Sequence, residues 1–296
     1  MRSIDTRRIV ILITLAATAC SPLRTFDAMI PKDAGARRVV RSAAFGQDPR
    51  QRLDVYAPTA TGTEGLPIIV FFYGGSWNSG TKDGYSFVGR ALAARGFVVV
   101  IPDYRVVPQV HYPRFLEDNA ASVRWAIANA RVFRGDPKRV LLAGHSAGAY
   151  NAAMLAIDPR WLGADREAVR GLIGLAGPYN FVPFRVPVVK AAFAGVSNPA
   201  DTQPVNHVSR SDPPAFLASG DKDEIVSPAD SDDLEAKLTA AGVAVDRHRY
   251  ARVGHVGLLT AIASPLRSRA AVLDDMVAFA RRVAPDHQEG GSSRAP

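Results

Sequence analysis

A single cysteine, Cys20, stands in the 296 residues. One thiol can make neither an intramolecular disulfide nor a cysteine-based metal site, so packing alone must hold the fold. The patterns H-E-x-x-H, G-x-x-x-x-G-K-[ST] and G-x-G-x-x-G are missing, so the sequence implies no metal or nucleotide and no cofactor is expected. Internal repeats and low-complexity tracts are missing too. The net charge of +8 comes from arginines scattered along the chain. Without a basic cluster or a recognition motif, that charge reads as a solvated surface and not as a nucleic-acid interface. The apolar run at residues 9–19 falls short of the roughly 20 residues needed to cross a bilayer.

What is present is an ordinary globular composition, 47% hydrophobic and 22% charged, on a chain long enough for one large α/β domain. Ahead of that domain, Arg2, Arg7 and Arg8 precede the apolar run, and small residues lead into Cys20. This layout resembles a bacterial lipoprotein signal, with Cys20 as the lipidated residue. Such signals usually carry Leu three positions before the cysteine, where this chain has Ala17. Ala17-Thr18-Ala19 also reads as a cleavage site for plain secretion. The expected organisation is a signal at 1–20, a tether at 21–36, a catalytic domain at 37–284 and a disordered tail at 285–296. The expected location is outside the cytoplasm, with membrane association through the N-terminal lipid or else as a periplasmic or secreted protein.

Within the domain, strands and helices alternate. Residues 38–45 and 52–57 read as strands around a Gly-Gln-Asp-Pro turn, with no helix between them, and so as an antiparallel edge. Residues 67–73 and 97–101 are runs of Ile, Val and Phe that suit strands buried on both faces. Further strands are expected at 139–143, 171–176, 215–219 and 243–250. Helices are expected at 85–95, 113–131, 147–157, 228–241 and 270–283. The reading is an α/β fold of about eight mostly parallel strands with helices on both faces and right-handed crossovers. The proline-rich stretch 177–213 is too long for a plain connection and reads as an irregular cap over the C-terminal edge of the sheet, where ligands bind in such sheets.

The chemistry centres on Gly144-His145-Ser146-Ala147-Gly148, a G-x-S-x-G between a buried strand and an alanine-rich helix. A serine on so tight a strand-to-helix turn is pushed outward, and the flanking glycines remove side chains that would clash. The helix N-terminus aims its free N–H groups at the same place. With Tyr73-Gly74-Gly75-Ser76-Trp77, Asp103-Tyr104-Arg105, Tyr112-Pro113, Asp118 and Trp125, this motif resembles the esterase branch of the α/β-hydrolases. The chain is most similar there to small carboxylesterases of the feruloyl-esterase, arylformamidase and prenylcysteine-methylesterase type, over roughly residues 50 to 282.

That resemblance implies a Ser–acid–His triad with Ser146 as nucleophile. The family pattern G-x-x-D-x-x-V places the acid at Asp223, with Asp221 as its rival. His255, in a Gly-flanked loop after the last strand, is the expected base, and His145 is read as a supporting residue. Oxyanion donors are expected from Gly75 or Ser76 together with Ala147. Tyr73 stands where relatives often carry His. Tyr73 and Trp77 are read as substrate-binding, Phe181 and Phe184 as further candidates for the pocket, and Asp103-Tyr104-Arg105 as a brace for nearby loops. The expected activity is hydrolysis of a small-molecule carboxylic ester through an acyl-enzyme. Alternatives are an amidase or arylformamidase, and an inactive surface-anchored binding protein of the same fold.

Overall fold

The structure, a computed structural model, describes residues 22–285. The expected signal, Cys20 and the polar tail from His287 onward lie outside the described residues. No helix among the described residues is long and apolar enough to cross a membrane.

The chain begins with helix α1 (Pro22–Met29), then strands β1 (Ala36–Ala44), β2 (Arg52–Pro58) and β3 (Leu66–Phe72), helix α2 (Ser86–Ala93) and strand β4 (Val98–Pro102). Helix α3 (Arg114–Asn129), strand β5 (Gly135–His145), helices α4 (Ala147–Ile157) and α5 (Pro159–Leu162) and strand β6 (Val169–Leu175) follow. Helix α6 (Pro187–Ala192), strand β7 (Ala215–Gly220), helix α7 (Pro228–Ala240), strand β8 (Val245–Tyr250) and helices α8 (His255–Thr260) and α9 (Val272–Val283) complete the order.

The eight strands among the described residues form one sheet in the order β1-β2-β4-β3-β5-β6-β7-β8. Strands β1 and β2 run antiparallel at one edge, and β3 to β8 run parallel. Sequence explains the split. Every residue of β3 and β4 is buried, as runs such as Leu-Pro-Ile-Ile-Val-Phe-Phe require, whereas β1 mixes buried, half-buried and exposed positions as an edge strand does. The connection from β3 to β4 moves one way along the sheet and that from β4 to β5 moves the other way. Right-handed crossovers therefore put α2 and α3 on opposite faces. Helix α4 is buried along its whole length, and its run of alanines and one glycine lets it lie close against the sheet.

The segment expected as a tether is different in kind. Leu23, Phe26 and Ile30 pack on the core at the three- and four-residue spacing of a helix face. Asp27 is buried; its carboxylate accepts from the Phe87 N–H at 2.8 Å and the Ser86 hydroxyl at 2.6 Å, capping the start of α2 from another element. Phe26 meets Phe87 edge to face at 5.3 Å. Residues 22–29 are thus a docked helix and not a linker.

The cap at 177–213 contains α6 and two short 3-10 turns. Its Phe181, Phe184 and Phe193 interleave with Trp77, Tyr112, Phe115 and Tyr150. The Tyr150 hydroxyl donates to the Thr202 carbonyl at 2.8 Å, and the Tyr112 N–H donates to the Ala192 carbonyl at 2.8 Å. The cap is therefore a packed layer sealed onto α3 and α4.

Candidate active site

Strand β5 ends in the tight turn at Ser146, whose backbone sits at φ 57°, ψ −127°. A non-glycine residue there is strained, and the neighbours must hold it. They do so by close approach. A Cβ on Gly148 would lie 2.1 Å from the Phe72 carbonyl oxygen, and one on Gly144 would lie 2.2 Å from the Gly148 oxygen. The Ser146 N–H donates to the Leu175 carbonyl at 2.9 Å, tying the turn to β6. Ala147 opens α4, so its N–H is among the first of a helix, which have no partner within it.

The structure brings His255 and Asp223 together. His255 opens α8 after Gly254, and its Nδ1 lies 2.7 Å from Asp223 Oδ2. Both residues are buried. The other Asp223 oxygen accepts from the Ile225 and Val226 N–H groups, each at 2.9 Å, so the carboxylate is fixed on both sides. An ionised carboxylate only accepts, which assigns the proton to Nδ1 and leaves Nε2 with a lone pair. Asp221, the rival acid, instead faces Arg249 at 3.2 Å on the surface.

Ser146, His145 and His255 line one cleft of about 510 Å³ together with Gly74, Gly75 and Ser76. Of the expected oxyanion residues, Gly75 and Ser76 therefore reach this cleft directly. The loop crowds the serine, since a Cβ on Gly74 would lie 2.8 Å from Ser146 Cβ. Ser76 and Trp77 both have positive φ, at 50° and 58°, which coils the loop tightly.

Two expected substrate contacts are corrected. Tyr73 is fully buried and donates its hydroxyl to Asp103 at 2.8 Å. Trp77 is 2% exposed; its Nε1–H donates to Asn151 at 3.0 Å and its ring sits in the aromatic layer beneath the cap. Neither lines the cleft. Phe181 and Phe184 belong to the same aromatic layer, and no residue of 177–213 lines the cleft.

Asp103 holds both ends of the 73–82 loop. Its Oδ1 accepts from the Tyr73 hydroxyl and, at 2.7 Å, from the Lys82 N–H. Burial pushes the Asp103 carboxyl above its ordinary value in spite of these donors. The Tyr104 hydroxyl donates to the Tyr73 carbonyl at 2.9 Å, and Arg105 clamps Asp118 with Nη2 at 2.6 Å and Nε at 2.9 Å. Asp103, Tyr104 and Arg105 thus brace the loops around the turn.

His145 packs against His255. Its Nε2 lies 3.1 Å from the His255 carbonyl oxygen, and the two rings are 4.6 Å apart. Burial, and then the neighbouring His255, push its pKa down to about 3, so it stays neutral and able to donate to that carbonyl. Sequence reasoning missed Pro22, Leu23, Tyr85, Ile225 and Val256, all of which line the cleft. The apolar spacing of Leu23, Phe26 and Ile30 was the available signal for the first two.

Known proteins resemble the chain in sequence and in fold. Residues 53–186 match the family model described as BD-FAE. Esterase LipC of Mycobacterium tuberculosis is 32% identical over 209 residues, which cover 63% of this chain and 51% of LipC. Isoprenylcysteine alpha-carbonyl methylesterase ICME of Arabidopsis thaliana is 35% identical over 152 residues, covering 49% of this chain and 35% of that protein. The chain thus spans about half the length, or less, of these relatives. Among solved structures, esterase B from Lactobacillus rhamnosis superposes with a TM-score of 0.77 at 18% identity, covering 90% of this chain and 92% of that one. The carboxylesterase EstE1, cloned from a metagenomic library, gives 0.72 at 20% identity, covering 89% and 94%; at such identities the likeness is one of fold. With its eight-stranded sheet, its strained serine turn and these relatives, the chain has the α/β-hydrolase fold and is similar to carboxylesterase-like members of it.

Proposed function

We propose that the protein hydrolyses carboxylic esters, with Ser146 as nucleophile, His255 as general base and acid, and Asp223 as the group that orients His255. The observation that carries this reading is the buried 2.7 Å pair of His255 and Asp223 on the cleft that also holds the strained Ser146 turn. His255 Nε2 takes the Ser146 proton as Oγ attacks the ester carbonyl. The imidazolium that forms is stabilised by the Asp223 carboxylate, which stays ionised. The N–H of Gly75 or Ser76, with that of Ala147, receives the oxyanion. The tetrahedral intermediate collapses to the acyl-enzyme as His255 gives its proton to the leaving alcohol. Water, deprotonated by His255, then releases the acid and frees Ser146.

The test is hydrolysis of p-nitrophenyl esters of increasing acyl length by wild type and Ser146→Ala. The expected result is Ser146-dependent turnover, falling by about 10⁴-fold or more in the variant. A Ser146→Ala protein as active as wild type would overturn the assignment.

A further inference from the structure

Helix α1 reaches the catalytic cleft. Pro22 and Leu23 form part of its lining on the side of the 73–85 loop, while Ile225 and Val256 rise from the side of Asp223 and His255. Six large hydrophobic side chains are exposed among the described residues, and Ile225 at 67% and Val256 at 51% are two of them. Exposed aliphatics set beside a nucleophile indicate where an apolar ligand gains contact.

These groups are rigidly mounted. The Ile225 N–H is held by Asp223 Oδ1, and Val256 follows His255 in the first turn of α8. Leu23 rides on a helix fixed by Asp27 and Phe26. A Cβ on Gly84 would lie 3.4 Å from the Leu23 backbone, so α1 lies directly against the loop. Among the described residues no Asp, Glu, Lys or Arg lines the cleft, and a charged substituent would lose water there without gaining a partner from them. Trp77, next to the cleft-lining Ser76, is taken up in the aromatic layer with Phe115, Phe181 and Phe193.

We propose that Leu23 of α1, Ile225 and Val256 form the specificity subsite of this enzyme, and that it takes a short uncharged alkyl chain of the ester. The assignment rests on the esterase reading above and names the substrate class of that same site. The alkyl chain belongs to the acyl or to the alcohol half of the ester, and the two halves are separated by experiment.

Two ester series are measured with wild type, Leu23→Ala, Ile225→Ser and Ser146→Ala. One holds p-nitrophenol and lengthens the acyl chain from acetate to octanoate. The other holds acetate and lengthens the alcohol from methyl to octyl. The readout is kcat/KM for the four-carbon member divided by that for the smallest member. In one series this ratio falls about tenfold in Leu23→Ala and in Ile225→Ser, and the series that responds names the half of the ester. Val132→Ser, which alters another exposed aliphatic outside the cleft, leaves the ratio at the wild-type value. Ratios within twofold of wild type in both series, for both cleft variants, overturn the subsite while leaving the esterase reading intact. Absence of Ser146-dependent turnover of any ester overturns both.

Discussion

His145 is a residue whose surroundings set a pH dependence. Its folded pKa of about 3 lies below the ordinary 6.5 of an unfolded chain. As pH falls from about 6.5 toward 3, the unfolded chain takes up a proton that the folded protein refuses, so stability is lost on acidification across that window. Urea midpoints measured from pH 7 to pH 4 should fall more steeply for wild type than for His145→Gln. Equal slopes would show that His145 is protonated in the fold. Gly148 carries a second residue-scale expectation. A Gly148→Ala side chain meets the Phe72 carbonyl oxygen at 2.1 Å, so the Ser146 turn must shift. Turnover should fall by 10²-fold or more, since a displacement of about 1 Å is enough for that; an active, stable Gly148→Ala protein would refute the close packing.

Helix α1 is the element that sequence reading placed least well, and the reason is physical. It has eight residues, too few to be a stable helix by itself. Its partners, Ser86, Phe87 and Gly84, lie about 60 residues away along the chain. Strands β3 and β4 were legible because burial on both faces demands unbroken apolar runs. His255 was legible because few histidines follow the expected acid, and the Ser146 turn because its glycines are forced by contact. Tyr73 and Trp77 misled for the opposite reason. An aromatic beside such a loop reads alike in sequence whether it faces ligand or core, and here both rings are buried, with Tyr73 bonded to Asp103 and Trp77 to Asn151. For α1, Asp27→Ala removes the acceptor that caps α2 and should lower stability by about 1–2 kcal/mol. Chemical denaturation would check this, and an unchanged midpoint would mean that α1 contributes nothing to the fold.

At the scale of the whole molecule, the cap and the cleft are separate devices. The cap buries Phe193 among Trp77, Tyr112, Phe115, Tyr150, Phe181 and Phe184, yet none of its residues lines the cleft. Phe193→Leu should therefore lower the melting temperature without moving the acyl-length optimum. A shifted optimum would place the cap in substrate selection after all.

The docking of α1 also bears on how the cleft keeps its shape. Pro22 and Leu23 line the cleft from a helix that Asp27 ties to the start of α2, about 60 residues further along the chain. One wall of the cleft thus hangs on a long-range contact, so loosening that contact would widen the cleft while leaving the pairing of Asp223 with His255 untouched.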